Sequence, residues 1–218
     1  MILFSQVTKR VNKELVLKDI NFIIKRNDFV FVYEKDQEIM RTLLLLLSGQ
    51  LKADKGLIRI NNSKKLKPKL YKDIGIVYFD EFFLSKRNIF ENLNFVLQLC
   101  GRKKSYPELR IKKVLDIVEI NEYKYCLPEE LMAHQYIRAS IARSLLLYPS
   151  ILILEDPLKF LDDVNSQAIF HLLKKINKLN VTIVFICSDK QYINRNNSEK
   201  LIALKADSEK LKKEGYHV

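Results

Sequence analysis

The chain has 218 residues, of which 48% are hydrophobic and 29% charged, enough for one α/β domain or for a core domain carrying an inserted helical subdomain. The longest purely aliphatic run, Leu43 to Leu47, falls far short of the ~20 residues that cross a bilayer, and Met1-Ile2-Leu3-Phe4 is too brief an apolar start for a signal peptide. The formal net charge of +12 has two readings, contact with an anionic surface or lysines that only solvate the protein, and its spread along the chain favours the second.

Residues 1 to 33 read as strands. Leu15 to Ile24 half-alternates, Asn27-Asp28 is a turn signal, and Phe29 to Tyr33 is a continuous buried run. Glu38 to Leu47 has a helical pattern that becomes wholly apolar, so this helix is expected to be buried. Leu57 to Ile60 and Ile74 to Phe79 are two further strands. Three helical stretches follow, Asn88 to Cys100, Pro107 to Val118 and Gln135 to Leu147, with Pro107 where a first-turn proline is favoured. Ile151 to Leu154 is a buried strand, Asp163 to Leu179 an amphipathic helix, Val181 to Cys187 a β-branched strand and Leu201 to Leu204 a short one. The order predicts an α/β fold with a mostly parallel sheet covered by helices on both faces. The expected division is a core of residues 1–79 and 146–205, a helical subdomain of 80–145 and a basic tail of 206–218. Cys100, Cys126 and Cys187, odd in number and far apart, argue for reduced thiols in a cytosolic protein over a disulfide or zinc framework.

Four segments carry a family resemblance. Phe29 to Tyr33, a loop, and a helix starting near Met40 have the layout of a phosphate-binding loop. Ile74 to Asp80 is placed like a Q-loop strand. Leu131-Met132-Ala133-His134-Gln135, running into Arg138 and Arg143, is similar to a signature segment and its helix. Ser150 to Pro157, followed by Leu161-Asp162, is similar to a Walker B strand and D-loop. Together, in this order, they resemble the ATP-binding subunits of ABC-type membrane complexes over roughly residues 1 to 205. The opening Met1 to Lys9 and the segment Glu91 to Leu97 resemble the FtsE cell-division subunits in particular, with the lipoprotein-release ATPases as near relatives. The resemblance implies an ABC-type P-loop NTPase fold: a RecA-like core, an N-terminal antiparallel β element and an inserted helical subdomain.

Each motif departs from the family pattern. The family's loop is glycine-rich so that backbone N–H groups can wrap phosphates closely. Here it reads Glu34-Lys35-Asp36-Gln37-Glu38-Ile39-Met40-Arg41-Thr42, with none of the chain's five glycines. Met40 stands at the phosphate-binding lysine and Arg41 at the Mg²⁺-binding hydroxyl, with Thr42 beside it. Glu34, Asp36 and Glu38 place three carboxylates near the expected triphosphate, which Lys35 and Arg41 offset only in part. Met132, Ala133 and His134 replace the signature's serine and glycines, Phe79 its Q-loop glutamine, and Ser188 its switch histidine. Val11 lies near the position of the base-stacking aromatic. The paired acids are inverted: Glu155 falls at a metal-side position, and Asp156 at the general-base position with one methylene fewer.

Taken alone the inverted acids would leave a slow enzyme, since a retreat of about 1 Å costs roughly a hundredfold in rate. With the loop altered as well, Glu155-Asp156 reads as a structural remnant. No cofactor is expected, and only ATP and Mg²⁺ if activity survives. The leading expectation is an FtsE-like pseudo-ATPase scaffold, peripheral at the inner face of the cell membrane. Its expected partners are an FtsX-like integral membrane protein and, as homo- or heterodimer, another ABC subunit. Phe79, Phe82, Phe83 and Leu84 are candidates for the docking groove, or ordinary subdomain core. A residually active ABC ATPase is the alternative. A nucleic-acid-binding protein has only the basic charge in its favour.

Overall fold

In the computed structural model, the structure describes residues 1–61, 73–78, 83–100, 106–189, 192–193 and 200–204. The elements run β1 (Ile2–Val11), β2 (Glu14–Ile24), β3 (Phe29–Tyr33), α1 (Gln37–Leu47), β4 (Lys55–Ile60), β5 (Ile74–Val77), α2 (Ile89–Leu99), α3 (Pro107–Ile117), α4 (Ala133–Leu145), β6 (Ile151–Glu155), α5 (Asp163–Asn177), β7 (Thr182–Cys187) and β8 (Lys200–Ala203). An antiparallel sheet has the order β2-β1-β4, and a parallel sheet the order β5-β6-β7-β3-β8.

The parallel strands are buried on both faces, which is why they read as unbroken apolar runs instead of alternating ones. Period-2 geometry sorts their side chains. Phe29, Phe31, Leu152, Leu154, Ile183 and Phe185 join one core cluster with residues of α2 to α5. Val30, Val32, Ile151, Ile153, Val184 and Ile186 join a second, with α1 and the antiparallel sheet. On the first face Phe31 stacks on Phe170 of α5 with centroids 5.9 Å apart, and Phe185 lies 5.2 Å from Phe31. On the second, α1 is wedged between two sheets. Ile39, Met40, Thr42, Leu43, Leu44, Leu46 and Leu47 are all buried, as its apolar end requires.

Helices α2, α3 and α4 pack on one another, and α4 also reaches β5. Gly75 permits that approach: a Cβ there would lie 2.8 Å from the Ser144 carbonyl oxygen. The Ser144 hydroxyl donates to the Ile76 carbonyl at 2.7 Å across the same junction. Asn88 opens α2 with a capping box, its Oδ1 accepting from the Glu91 N–H at 2.8 Å while Glu91 accepts from the Asn88 N–H at 3.0 Å. Pro107 takes the expected first-turn place in α3.

Several element ends differ from the sequence reading by one or two residues. Helix α4 starts two residues earlier, at Ala133, because the Gln135 side chain accepts from the Met132 N–H at 2.8 Å and closes the first turn. Strand β5 ends at Val77. Residues 79–82, which hold the expected boundary of the helical subdomain, and the basic tail 206–218 lie outside the described residues. Among the described residues no helix is long and apolar enough to cross a membrane.

Candidate functional site

Because β3, β5, β6 and β7 are parallel, their C-terminal ends meet at one edge of the sheet, where ligands bind in open α/β folds. Tyr33, Glu155 and Cys187 end three of these strands. The Glu34 N–H donates to the Cys187 carbonyl at 3.1 Å, and the Asp156 N–H to the Ile186 carbonyl at 2.8 Å. The loop after β3 and the acids after β6 thus both lean on β7.

In the loop, the backbone donors are taken by the chain itself. Glu34 is buried, and its Oε1 accepts from the N–H groups of Lys35 at 2.9 Å and Asp36 at 3.0 Å. Asp36 is the N-cap of α1, with extended backbone at φ −76°, and its Oδ1 accepts from Glu38 at 2.9 Å and Ile39 at 3.3 Å. Two carboxylates therefore hold four amides at a helix N-terminus, those of Lys35, Asp36, Glu38 and Ile39, donors of the kind that would face a phosphate in a glycine-rich loop. Lys35, Gln37 and Glu38 turn to solvent. Met40 and Thr42 turn inward, at 4% and 3% exposure, so the position of the family's lysine is part of the apolar core.

Arg41 points back toward β6. Its Nη1 lies 3.3 Å from Glu155 Oε2, and its guanidinium sits 5.4 Å from the centroid of Tyr78. Tyr78 Oη in turn accepts from Gln50 at 2.6 Å. Asp156 follows at φ +43°, a left-handed backbone that a non-glycine residue adopts only under constraint. It is 3% exposed, and its Oδ2 accepts from the Ser188 hydroxyl at 2.5 Å. The structure thus brings the general-base and switch positions into contact. Next to them, Cys187 is driven well above its ordinary thiol range, first by burial and then by the charges of Asp156 and Asp189, so it is an inert thiol.

Met132 and Ala133 are exposed and His134 half-buried at the start of α4. Ala133 lines the same cavity as Asp156. Val11 ends β1 and packs against the cluster around α1. Of the apolar residues singled out for docking, Phe79 and Phe82 lie outside the described residues. Phe83 is a core residue, 8% exposed, edge-on to Tyr136 at 5.0 Å and covered by Arg143 at 4.3 Å; of the two described, only Leu84 is exposed.

Sequence reasoning missed Gln50, which carries no motif, and gave no role to Tyr78 within the Q-loop-like segment. It also read the three loop carboxylates only as mutual repulsion. The N-cap signal was present, an aspartate directly before a helical apolar pattern.

The ABC transporter family profile matches residues 41–159, more than half of the chain. The chain belongs to the ABC transporter family. The cell division ATP-binding protein FtsE of Streptococcus pneumoniae serotype 2 is 27% identical over 194 residues, covering 86% of this chain and 84% of that protein. The methionine import ATP-binding protein MetN 1 of Staphylococcus aureus is 30% identical over 204 residues, and this cassette spans 60% of its length. Among solved structures, the dimeric ATP-binding cassette MJ0796 bound to ADP and Pi superposes with a TM-score of 0.79 at 26% identity, covering 94% of both chains. The cassette therefore has the α/β P-loop NTPase fold of ABC ATPases, with homologues of FtsE and MetN type.

Proposed function

We propose that this ABC-type cassette is an FtsE-like subunit that docks an FtsX-like membrane protein at the inner face of the membrane as a scaffold, without hydrolysing ATP. The observation that carries the reading is the occupation of the loop amides by Glu34 and Asp36. A triphosphate needs those N–H groups, and it would have to displace two carboxylates of its own charge sign. The metal side is altered in the same sense. Arg41 carries a positive charge onto Glu155, at the two positions where the resemblance puts ligands of Mg²⁺. The residues present do not fit Mg-ATP.

What survives is the apparatus for folding. The two core clusters are apolar throughout, and the residues read as departures from the family pattern lie in the loops after the strands and at the start of α4. A chain released from any use would accept polar residues in the core as readily. The likeness to FtsE proteins, and the exposed Leu84 beside α2, support a membrane-protein partner, placed at a groove next to the Q-loop position.

The test is co-expression with an FtsX-like protein, followed by detergent extraction and affinity purification, with and without Mg-ATP. The complex is expected in equal yield under both conditions. Absence of the complex, or its formation only with Mg-ATP, overturns the reading.

A further inference from the structure

Met132, Phe160 and Val164 are 66%, 77% and 78% exposed. Met132 is the N-cap of α4, Phe160 stands in the turn after β6, and Val164 lies in the first turn of α5. The three belong to one corner of the molecule. Helix α4 packs against α5. Ala133, Phe160 and Leu161 line one cavity. The Asp162 carboxyl is held below its ordinary value by the Asn165 hydrogen bonds first and, more weakly, by His134, so the starts of the two helices are neighbours. A single exposed apolar side chain needs no explanation, but three at one corner mark a surface that something covers.

The charge around the corner decides what covers it. Among the described residues, exposed Glu129 and Glu130 just before Met132, and exposed Asp162 and Asp163 just before Val164, outnumber Lys159 and His134. The chain as a whole carries +12. An acidic, apolar corner on a basic protein is complementary to the rest of that protein's surface, and a second copy supplies such a surface. An anionic partner, whether lipid headgroups or nucleic acid, is repelled here. Two copies satisfy the complementarity at once when a twofold axis runs beside the corner, because each corner then meets the other copy's surface. Behind Phe160 the cavity of about 180 Å³, with Ala133, Tyr136, Ile137 and Leu161 among its walls, has room for one apolar side chain of the facing copy. Met132 adds an unbranched side chain that adapts to its contact.

We propose that this corner is the contact surface between two copies of the chain, which pair across a twofold axis without nucleotide. Met132, Phe160 and Val164 form its apolar centre, and the four acids its rim. The pairing makes no use of a phosphate-binding loop, so a chain that also bound Mg-ATP would form it equally.

The experiment is sedimentation equilibrium of the purified full chain, free of nucleotide, across about 1 to 100 μM. A monomer–dimer equilibrium with a Kd of about 1 to 30 μM is expected, unchanged by Mg-ATP. Phe160→Glu and Met132→Glu, both at exposed positions where a charge is compatible with folding, should each raise Kd at least about tenfold. Leu109→Glu is the control. Leu109 is as exposed, at 68%, but lies on α3 and lines a different cavity with Phe90 and Tyr125, and its change should leave Kd within about twofold. A monomer throughout this range, a dimer that appears only with Mg-ATP, or a dimer that Leu109→Glu disrupts as much as Phe160→Glu does overturns the proposal. So does a Kd indifferent to both corner substitutions.

Discussion

The Arg41 guanidinium on α1 lies 3.3 Å from the Glu155 carboxylate at the end of β6, bridging 114 residues of sequence. It ties the helix of the phosphate loop to the strand of the paired acids with a side chain. The carboxylate is largely buried and the guanidinium half-exposed, with side-chain exposures of 10% and 45%. Removing the cation is therefore more damaging than breaking a surface pair. Arg41→Ala is expected to lower stability by about 1 to 3 kcal/mol, read from urea unfolding. Arg41→Lys should recover only part of it, since an ammonium lacks the broad guanidinium face that lies over the Tyr78 ring. A loss below about 0.3 kcal/mol would show the pair to be incidental.

Glu34 and Asp36 give a second, separable effect. Glu34→Ala removes the acceptor for two backbone N–H groups and is expected to cost about 1 to 3 kcal/mol. Asp36→Ala removes an N-cap, worth about 1 kcal/mol, and Asp36→Ser should restore most of it because a hydroxyl caps nearly as well. Thermal melts of the three variants check this. The opposite ranking, with Asp36→Ser as damaging as Asp36→Ala, would show that charge and not capping is what the helix uses.

These carboxylates show how far the sequence could be read. Four altered motifs in order were enough for the fold, since each marks a strand end or a helix start. The unbroken apolar runs of β3, β6 and β7 marked buried strands, but which of their side chains face which core came only from the structure. The roles at the site were less legible because they depend on distance in space. Glu34 and Asp36 look like repelling charges until the backbone turns their oxygens onto neighbouring amides. Arg41 and Glu155 are far apart in sequence, and nothing in the Q-loop-like segment marks Tyr78 as their neighbour. Phe83 could be groove or core by composition, and only the packing of Tyr136 and Arg143 on it decided for core.

Glu119 is expected to contribute to acid sensitivity. It accepts from Lys175 of α5 at 2.6 Å and pairs with Arg138 of α4 at 3.1 Å. The Lys175 hydrogen bond above all, partly opposed by burial, holds its carboxyl below the ordinary value of 4.5. With the folded-state value depressed, its contribution is complete above that ordinary value and disappears as pH falls through the folded one. Urea midpoints of Glu119→Gln and the unaltered chain should differ at pH 7 and converge toward pH 3. A difference that grows on acidification would reverse the sign of this account.

Pairing with an intact ABC subunit is not expected to create a full ATPase site. If each site joins one subunit's loop to the other's signature, both sites would lose an element on the proposed reading, in which residues 34–42 and 131–135 both depart from the family pattern. Turnover needs donors preorganised around the transferred phosphoryl group. An isolated heteromer with an intact FtsE-type subunit and its membrane partner should turn over ATP at less than about a tenth of the intact homodimer's rate. Equal rates would show that this chain contributes to catalysis.

The Glu34 and Asp36 carboxylates hold the amides that a triphosphate would need. Calorimetric titration of the purified chain with Mg-ATP tests it most directly. The prediction is no saturable heat at ligand concentrations of about 1 to 5 mM, an affinity too weak to matter. A dissociation constant of about 1 to 50 μM would contradict the account and return the chain to the nucleotide-binding ABC ATPases.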